Sequence, residues 1–238
     1  MAVNTAVISP RRRTRYFYVG MALAIAITVF VGFSRTYFLK LHYGGPPLDL
    51  LRHTHGLVFT SWVLLFVVQT TLVAGRRIHI HRRLGILGAV LAMLVVLLGT
   101  MTAIIRAKQG AAPPGIPPLP FLAIPLGDMV VFAILVGAAF YFRRRADTHK
   151  RLMTLGTISL MAAPIARLPF GVMQAGPLAF FGLADLFIVA CLLYDLITRR
   201  RIHPATAWGG LLIVASQPLR LMISGTPAWM AFATWVTR

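Results

Sequence analysis

Hydrophobic stretches separated by short polar corners run along almost the whole chain. Each stretch is near the length of about 20 residues with which a helix crosses the hydrocarbon core of a bilayer. These stretches predict seven membrane-spanning helices, over residues 16–39, 49–74, 84–106, 121–143, 150–168, 177–198 and 205–225. The connection 107–120 is rich in proline and glycine, which cannot continue a helix, and it is predicted as a loop. The pattern predicts an all-α, seven-helix membrane bundle without a second folded domain.

The composition supports a membrane protein and argues against a nucleic-acid-binding one. The chain has 238 residues, of which 58% are hydrophobic and only 12% are charged, and it contains no glutamate. About a quarter of the residues of a soluble domain are normally charged. The net charge of +19 would suit nucleic acid, but the basic residues lie between apolar stretches rather than on one soluble face. We expect them to contact the anionic headgroups of membrane lipids.

The basic corners predict the orientation of the bundle. If the N-terminus is cytoplasmic, 16 of the 24 Lys and Arg residues fall in corners on the cytoplasmic side. These residues are Arg11, Arg12, Arg13, Arg15, Arg76, Arg77, Arg82, Arg83, Arg143, Arg144, Arg145, Lys150, Arg151, Arg199, Arg200 and Arg201. Cytoplasmic loops of membrane proteins carry an excess of Lys and Arg. The sequence therefore predicts a multi-pass protein of the bacterial inner membrane, with a periplasmic C-terminus.

Two short segments flank the predicted transmembrane domain, which covers residues 16–225. Residues 1–15 form a basic segment that is predicted to lie in the cytoplasm. Residues 226–238 form a tail whose aromatic side chains recur every three positions, at Trp229, Phe232 and Trp235. This spacing favours a short helix in the outer membrane interface. The alternative is an unwound aromatic tail.

A short sequence element occurs twice. HRRLGILG at 81–88 and HKRLMTLG at 149–156 share a histidine, a basic residue, an arginine and a leucine, followed by a leucine and a glycine. The offset of 68 residues spans two helices. Both copies are predicted to open a helix at the cytoplasmic face. The repeat indicates a parallel duplication of a helix hairpin.

The two repeated histidines, His81 and His149, are the first candidate site. A helix N-terminus carries partial positive charge, and neighbouring arginines add to it, so both effects disfavour the imidazolium form. Neutral imidazole is the form that binds a metal or haem iron. His81 and His149 are predicted to lie at one depth on two helices, where they could hold one iron from both sides. The alternative is that they anchor the helices or make local hydrogen bonds.

A second set of polar residues is predicted near the outer membrane boundary. It comprises Arg35, His53, His55, Asp128, Arg167, Asp185, Gln217 and Arg220. His53 and His55 are about 200° apart on a helix, so they cannot share a face. Charges at such depth are costly unless they are paired, and we expect Asp128 and Asp185 to pair with arginines of other helices.

This outer set has two interpretations. Arg35 and Arg220 could hold an anionic group such as a haem propionate, a lipid headgroup or a small carboxylate, with His53 or His55 as a further ligand. The set could also polarise a quinone carbonyl. The alternative is a structural network of ion pairs that orients the helices.

Motifs of several enzyme classes are absent. The sequence contains no glycine-rich phosphate loop, no CxxC, no GxSxG and no HExxH. The one cysteine, Cys191, lies within an apolar stretch and is interpreted as a packing residue. We therefore assign no catalytic residue, and whether the protein is an enzyme stays open.

The stretches 51–85 and 149–169 resemble a family of uncharacterised bacterial multi-pass membrane proteins. In that family an HRxLG element opens one helix and an HxRxM-like element opens a later one. The matching positions are His81, Arg82, Leu84, Gly85, His149, Arg151 and Met153. The resemblance covers roughly residues 35–170 and implies the fold but no activity.

The chain is more loosely similar to transmembrane b-type cytochromes and small oxidase-assembly proteins, which also place histidines at helix ends. That similarity implies haem b between His81 and His149, in electron transfer or the assembly of a respiratory complex. The outer side lacks a second histidine from another helix, which argues against a two-haem arrangement. The alternatives are a non-catalytic accessory subunit of a larger membrane complex and, ranked lower, a small-solute carrier.

Overall fold

The computed structural model describes residues 10–113, 115–170 and 176–238, and each regular element within them is helical. The helices are α1 (Pro10–Phe33), α2 (Leu50–Ala74), α3 (Ile78–Lys108), α4 (Pro118–Phe121), α5 (Ala123–Tyr141), α6 (Ala146–Ile158), α7 (Ala162–Ile165), α8 (Pro177–Arg199), α9 (Pro204–Ile223) and α10 (Pro227–Val236). A π-helical segment, Ser34–Phe38, continues α1. The all-α prediction is confirmed for this part of the chain.

Five helical segments are long and apolar enough to cross a membrane. They are Tyr16–Phe38, Leu50–Ala74, Ile78–Lys108, Pro118–Tyr141 and Pro177–Arg199, and they match the first four predicted spans and the sixth. Helices also form at the fifth and seventh predicted spans. However, α6 has only 13 residues, and α9 has 20 but carries Gln217 and Arg220 near its end. The chain is a multi-pass membrane protein.

Successive long helices run in opposite directions, so their ends collect in two groups. The starts of α3 and α6 meet at His81 and His149. We call this group the histidine end, and it also holds the end of α8 and the start of α9. At the other end, Arg220 of α9 pairs with Asp128 near the start of α5. We call that group the Arg220 end.

The segment α6–α7 lies inside the bundle, since α6 packs against α1, α5, α8 and α9. Almost every residue of the range 151–159 is buried. The helix is interrupted between α6 and α7 because Pro164 has no N–H to donate to the turn before it. Hydrogen bonds to the third preceding residue replace the regular bonds to the fourth there, and the N–H of Met161 donates to the carbonyl of Ile158. Irregular backbone at membrane depth is tolerated where protein surrounds it.

Helix α1 approaches this interruption through Gly32. A Cβ atom at Gly32 would lie 2.1 Å from the carbonyl oxygen of Pro164. No other residue fits such a contact between two backbones. The absence of a side chain at Gly32 therefore fixes how closely α1 packs against α7.

The aromatic tail forms the helix α10, so the alternative of an unwound tail is wrong. The indole N–H of Trp229 donates to the carbonyl of Leu119 at 2.9 Å, and Ala233 is fully buried. Phe232 and Trp235 point outward and are exposed. Residues 1–9 of the predicted basic segment lie outside the described residues, and α1 begins within that segment at Pro10.

Candidate functional site

The histidines of the repeated element lie next to each other. His81 is the fourth residue of α3 and His149 is the fourth residue of α6, so the two copies have the same helical register. Their ring centres are 6.3 Å apart, with the ring planes at 75°. Both side chains are half-buried. The structure thus brings together the two histidines that the sequence predicts as a pair.

A glutamine of the preceding helix fixes the tautomer of His81. The amide of Gln69 on α2 donates to the backbone carbonyl of His81 at 3.3 Å, and its oxygen lies 2.8 Å from Nδ1 of the same residue. A carbonyl can only accept, so the nitrogen of Gln69 must face it and the oxygen must face Nδ1. Nδ1 of His81 therefore carries the proton, and in the neutral ring Nε2 keeps its lone pair.

His149 has the same tautomer for a similar reason. Its Nδ1 lies 2.8 Å from the backbone carbonyl of Ala139 on α5, which can only accept. Neither Nε2 atom, of His81 or of His149, forms a hydrogen bond with the described part of the protein. A histidine held through Nδ1–H by a carbonyl or amide oxygen is in the state typical of metal ligands. His79, two residues before His81, is exposed and outside the pair.

A buried ion pair lies on the other side of α6. Arg151 is two residues after His149 and therefore points about 200° away from it, toward α8. Its Nε donates to both carboxylate oxygens of Asp195, at 3.1 and 3.2 Å, and Nη2 also bonds that carboxylate. The hydroxyl of Thr206 donates to Asp195 at 2.6 Å, and the backbone N–H of His203 donates at 3.1 Å. Asp195 is fully buried and joins α6, α8 and α9.

A surface group adds further positive charge at this end. Lys150, Arg151 and Arg199 surround the exposed carboxylate of Asp147. The hydrogen bond from Lys150 lowers the pKa of Asp147, and the charges of Lys150, Arg151 and Arg199 act in the same direction. Asp147 therefore stays ionised at neutral pH and balances part of the basic surface.

The Arg220 end contains the predicted polar network, with one difference. Asp128 pairs with Arg220, as expected of an aspartate at this depth. Asp185, by contrast, accepts a hydrogen bond from the amide of Gln217 at 2.7 Å and has no ion pair within the residues described. The expectation that both aspartates pair with arginines is wrong for Asp185.

The remaining outer residues do not assemble into a second site. His53 is exposed and packs beside Tyr37 of the π-helical segment, whereas His55 stacks on Phe59 with ring centres 4.1 Å apart. The two histidines face different neighbours, as their spacing predicts. Arg35 lies over Tyr43, and Arg167 lies over Phe33 and donates to the carbonyl of Ala163. No hydrogen bond, ion pair or ring contact joins these two histidines and two arginines to one another.

The described residues do not provide a set of side chains that could by itself hold a metal ion. Over residues 10–113, 115–170 and 176–238, no group of three or more His, Cys, Asp and Glu side chains could hold a metal. Cys191 is buried, as expected of a packing residue. The pair of His81 and His149 therefore offers two protein ligands and no more.

Gln69 and Asp195 are the residues that sequence reasoning missed. Asp195 is one of only five acidic residues, and with Asp185 it is one of two in the apolar stretch 177–198, so counting acids would have singled it out. Gln69 is a lone amide in the apolar stretch of α2, six residues before Gly75, where the turn that leads to α3 begins. Comparison of the chain with family models, curated proteins and solved structures gives no match.

Proposed function

We propose that this protein binds haem b between His81 and His149 and serves in electron transfer or in respiratory assembly. The observation that carries the proposal is the matched state of the two histidines. Both donate from Nδ1 to an oxygen of the preceding helix, and on both rings Nε2 forms no hydrogen bond with the residues that the structure describes. The two rings lie on neighbouring helix starts.

The spacing of the pair suits one metal ion. Two imidazoles that bind one ion through Nε2 at about 2 Å each, with the ion midway between the rings, have ring centres roughly 6 Å apart. The observed distance between the ring centres of His81 and His149 is 6.3 Å. Both rings are half-buried, so a ligand can reach them from the surface of the histidine end.

The number of ligands favours haem over a bare ion. Zinc sites use three or four protein ligands. A porphyrin supplies four nitrogen ligands itself, so haem iron needs at most two from the protein. The described residues provide two at this place. Haem would supply one-electron chemistry, and the protein would supply the ligands and their orientation.

Basic side chains beside the pair suit the propionates of haem. Arg82 and Arg83 follow His81 and are exposed, and Arg145 precedes α6 and is exposed as well. Arginine forms paired hydrogen bonds with carboxylates. Cytoplasmic loops of membrane proteins are rich in arginine, so the same residues support an orientation with the histidine end in the cytoplasm. This orientation is the one expected of seven spans in the bacterial inner membrane.

The test is the absorption spectrum of the full-length protein purified in mild detergent, together with its metal content. We expect a Soret band and bound iron. His81→Ala and His149→Ala should each lose most of the band. His79→Ala is the matched control, since His79 is exposed on the same helix start, and it should keep the band. Absence of the band together with absence of bound iron and copper would end the proposal, as would a full band in the His81→Ala and His149→Ala variants.

A small-solute carrier is the second candidate, and the interruption between α6 and α7 favours it. Transporters form substrate sites where helices are broken at membrane depth. A carrier needs no haem, so the spectrum separates the two proposals. For a carrier we expect no Soret band, and we expect one solute in a panel to raise the unfolding temperature by binding the folded state.

A further inference from the structure

We propose that Asp185 is a proton-binding site within the membrane. The five acidic residues of the chain are all aspartates, and three of them lie on long apolar helices. Two of these three, Asp128 and Asp195, each pair with a buried arginine. Asp185 is the exception, because the hydrogen-bond donor that it has among the described residues is the uncharged amide of Gln217.

Asp185 lies well inside a membrane-spanning segment. It is eight residues after the first residue of α8, Pro177, which places it about 12 Å along the helix at 1.5 Å per residue. The segment Pro177–Arg199 is long and apolar enough to cross a bilayer. Gln217, its partner on α9, is itself buried.

Within the described part of the chain, no ion pair joins Asp185 to a cation of the elements that pack against α8, which are α1, α6, α7 and α9. Arg220 of α9 is bonded to Asp128 and lies over the ring of Phe181. The cations of α6, Lys150 and Arg151, lie at the histidine end. Helix α7 has the sequence AAPI, and Arg167, which follows it, lies over the ring of Phe33 and donates to the carbonyl of Ala163. Residues 16–33 of α1 contain no charged side chain. The segment 171–175, which lies outside the described residues, reads GVMQA and carries no cation.

The partner of Asp185 suits the neutral acid. An ionised carboxylate at membrane depth without a cation costs several kcal/mol, and such a group takes up a proton instead. The neutral acid can still accept the hydrogen bond from Gln217 through its carbonyl oxygen. An arginine would hold the ionised form, whereas an amide donor serves both forms. Asp185 can therefore gain and lose a proton without losing its partner, in contrast to Asp128 and Asp195.

A lipid-soluble carbodiimide tests this inference, because it reacts with protonated carboxyl groups in apolar surroundings. The acid proton moves to a carbodiimide nitrogen and the carboxylate oxygen bonds to its central carbon. The adduct then rearranges to a stable N-acylurea, with no further reactant. The full-length protein in proteoliposomes is treated with dicyclohexylcarbodiimide, digested and analysed by mass spectrometry. The labelling is read at all five aspartates and does not depend on bound haem, so its outcome is separate from that of the proposed function.

We expect an adduct at Asp185 that is at least about tenfold more abundant than at Asp128 or Asp195, and that decreases as pH rises from about 6 to about 9. Asp49 and Asp147, which are exposed, should stay unlabelled. The Asp185→Asn variant should lose the adduct. Gln217→Arg would supply the missing cation and should suppress labelling of Asp185 by at least about tenfold. An unlabelled Asp185 in protein that is labelled there after denaturation in acid would overturn the inference, and so would equal labelling of Asp128, Asp185 and Asp195.

Discussion

The two ends of the bundle each contain a buried arginine–aspartate pair, but the pairs differ in how fully they are bonded. At the histidine end, Asp195 accepts from Arg151, from the hydroxyl of Thr206 and from the backbone of His203. At the Arg220 end, Asp128 is bonded by Arg220 and by no other residue that the structure describes.

The arginines show the same contrast. Arg151 uses Nε and both terminal nitrogens, one of them on the carbonyl of Asp147 at 2.9 Å. Both terminal nitrogens of Arg220 are bonded as well, to Asp128 and to the hydroxyl of Ser216, but its buried Nε has no hydrogen-bond partner among the described residues. A buried ion pair stabilises a fold only when its remaining donors and acceptors are also satisfied. The comparison indicates that the pair at the histidine end holds helices together, whereas the pair at the Arg220 end leaves a donor unsatisfied.

The largest effect is expected from breaking the fully bonded pair. Asp195→Asn would remove the buried counterion of Arg151, leaving only the exposed carboxylate of Asp147 at 3.5 Å, and would also weaken the bonds to Thr206 and His203. We expect it to lower the free energy of unfolding by about 4 kcal/mol, and Asp128→Asn to lower it by about 3 kcal/mol. Unfolding of the purified protein by increasing SDS in mixed micelles measures both values.

The control for this prediction is Asp147→Asn, which removes an exposed carboxylate at the same end. Exposed pairs contribute less than about 1 kcal/mol, so this variant should be close to wild type. The double variant Arg151→Met with Asp195→Leu removes both charges and should recover most of the loss. A loss for Asp128→Asn greater than for Asp195→Asn would contradict the comparison between the two ends.

A smaller effect is expected from crowding the pair at the Arg220 end. A Cβ atom at Gly127 would lie 2.3 Å from Nε and 2.5 Å from Cδ of Arg220. Gly127→Ala should therefore push the guanidinium away from Asp128 and lower the free energy of unfolding by about 2 kcal/mol. The same SDS titration measures the loss.

Gly137→Ala is the matched control on the same helix. Apart from the adjoining backbone of the helix itself, no atom of the described residues lies within 4 Å of the Cβ position at Gly137, so alanine adds no clash there. Alanine is the better helix former by about 1 kcal/mol, and this variant should be unchanged or more stable. If Gly127→Ala were as stable as Gly137→Ala, the side chain of Arg220 would not be held in place by its contact with Gly127.

The histidine end was more predictable from sequence than the Arg220 end, because its main feature is periodic. The repeat of His81 and His149 at equal helical register predicts their contact without any knowledge of the tertiary packing. The bond between Gln69 and His81 could not be predicted in this way. It depends on how α2 rotates against α3, and no local pattern specifies that rotation.

Partner choice in the ion pairs was only partly predictable. Charge balance predicts that Asp128 has an arginine, and this is confirmed for Arg220. The same rule gave the wrong partner for Asp185, because Gln217 and Arg220 lie on adjacent turns of α9 and the packing of α8 brings the amide closest. Arg151 was interpreted as a headgroup anchor from its place in a basic corner, yet it is buried against Asp195.

The smallest effect concerns the start of α9 and depends on pH. Burial lowers the pKa of His203, and the charges of Arg151 and Arg199 lower it further. Its Nδ1 accepts the N–H of Ala205 at 3.1 Å, so the neutral ring caps the helix and the protonated ring cannot.

Because the pKa of His203 is lower in the folded state, the cap stabilises the protein fully above the unfolded value of about 6.5 and is lost as pH falls through the folded value. We expect a loss of at most about 1 kcal/mol from this residue between about pH 7 and about pH 5. Asparagine also caps a helix but does not titrate there, so His203→Asn should keep the stability at neutral pH and reduce its dependence on pH by that amount. The unfolding midpoints of both proteins are measured across this pH range. The other histidines are the same in both proteins, so their contribution cancels when the two pH dependences are subtracted. Equal slopes for the two proteins would show that the cap at α9 does not respond to protonation of His203.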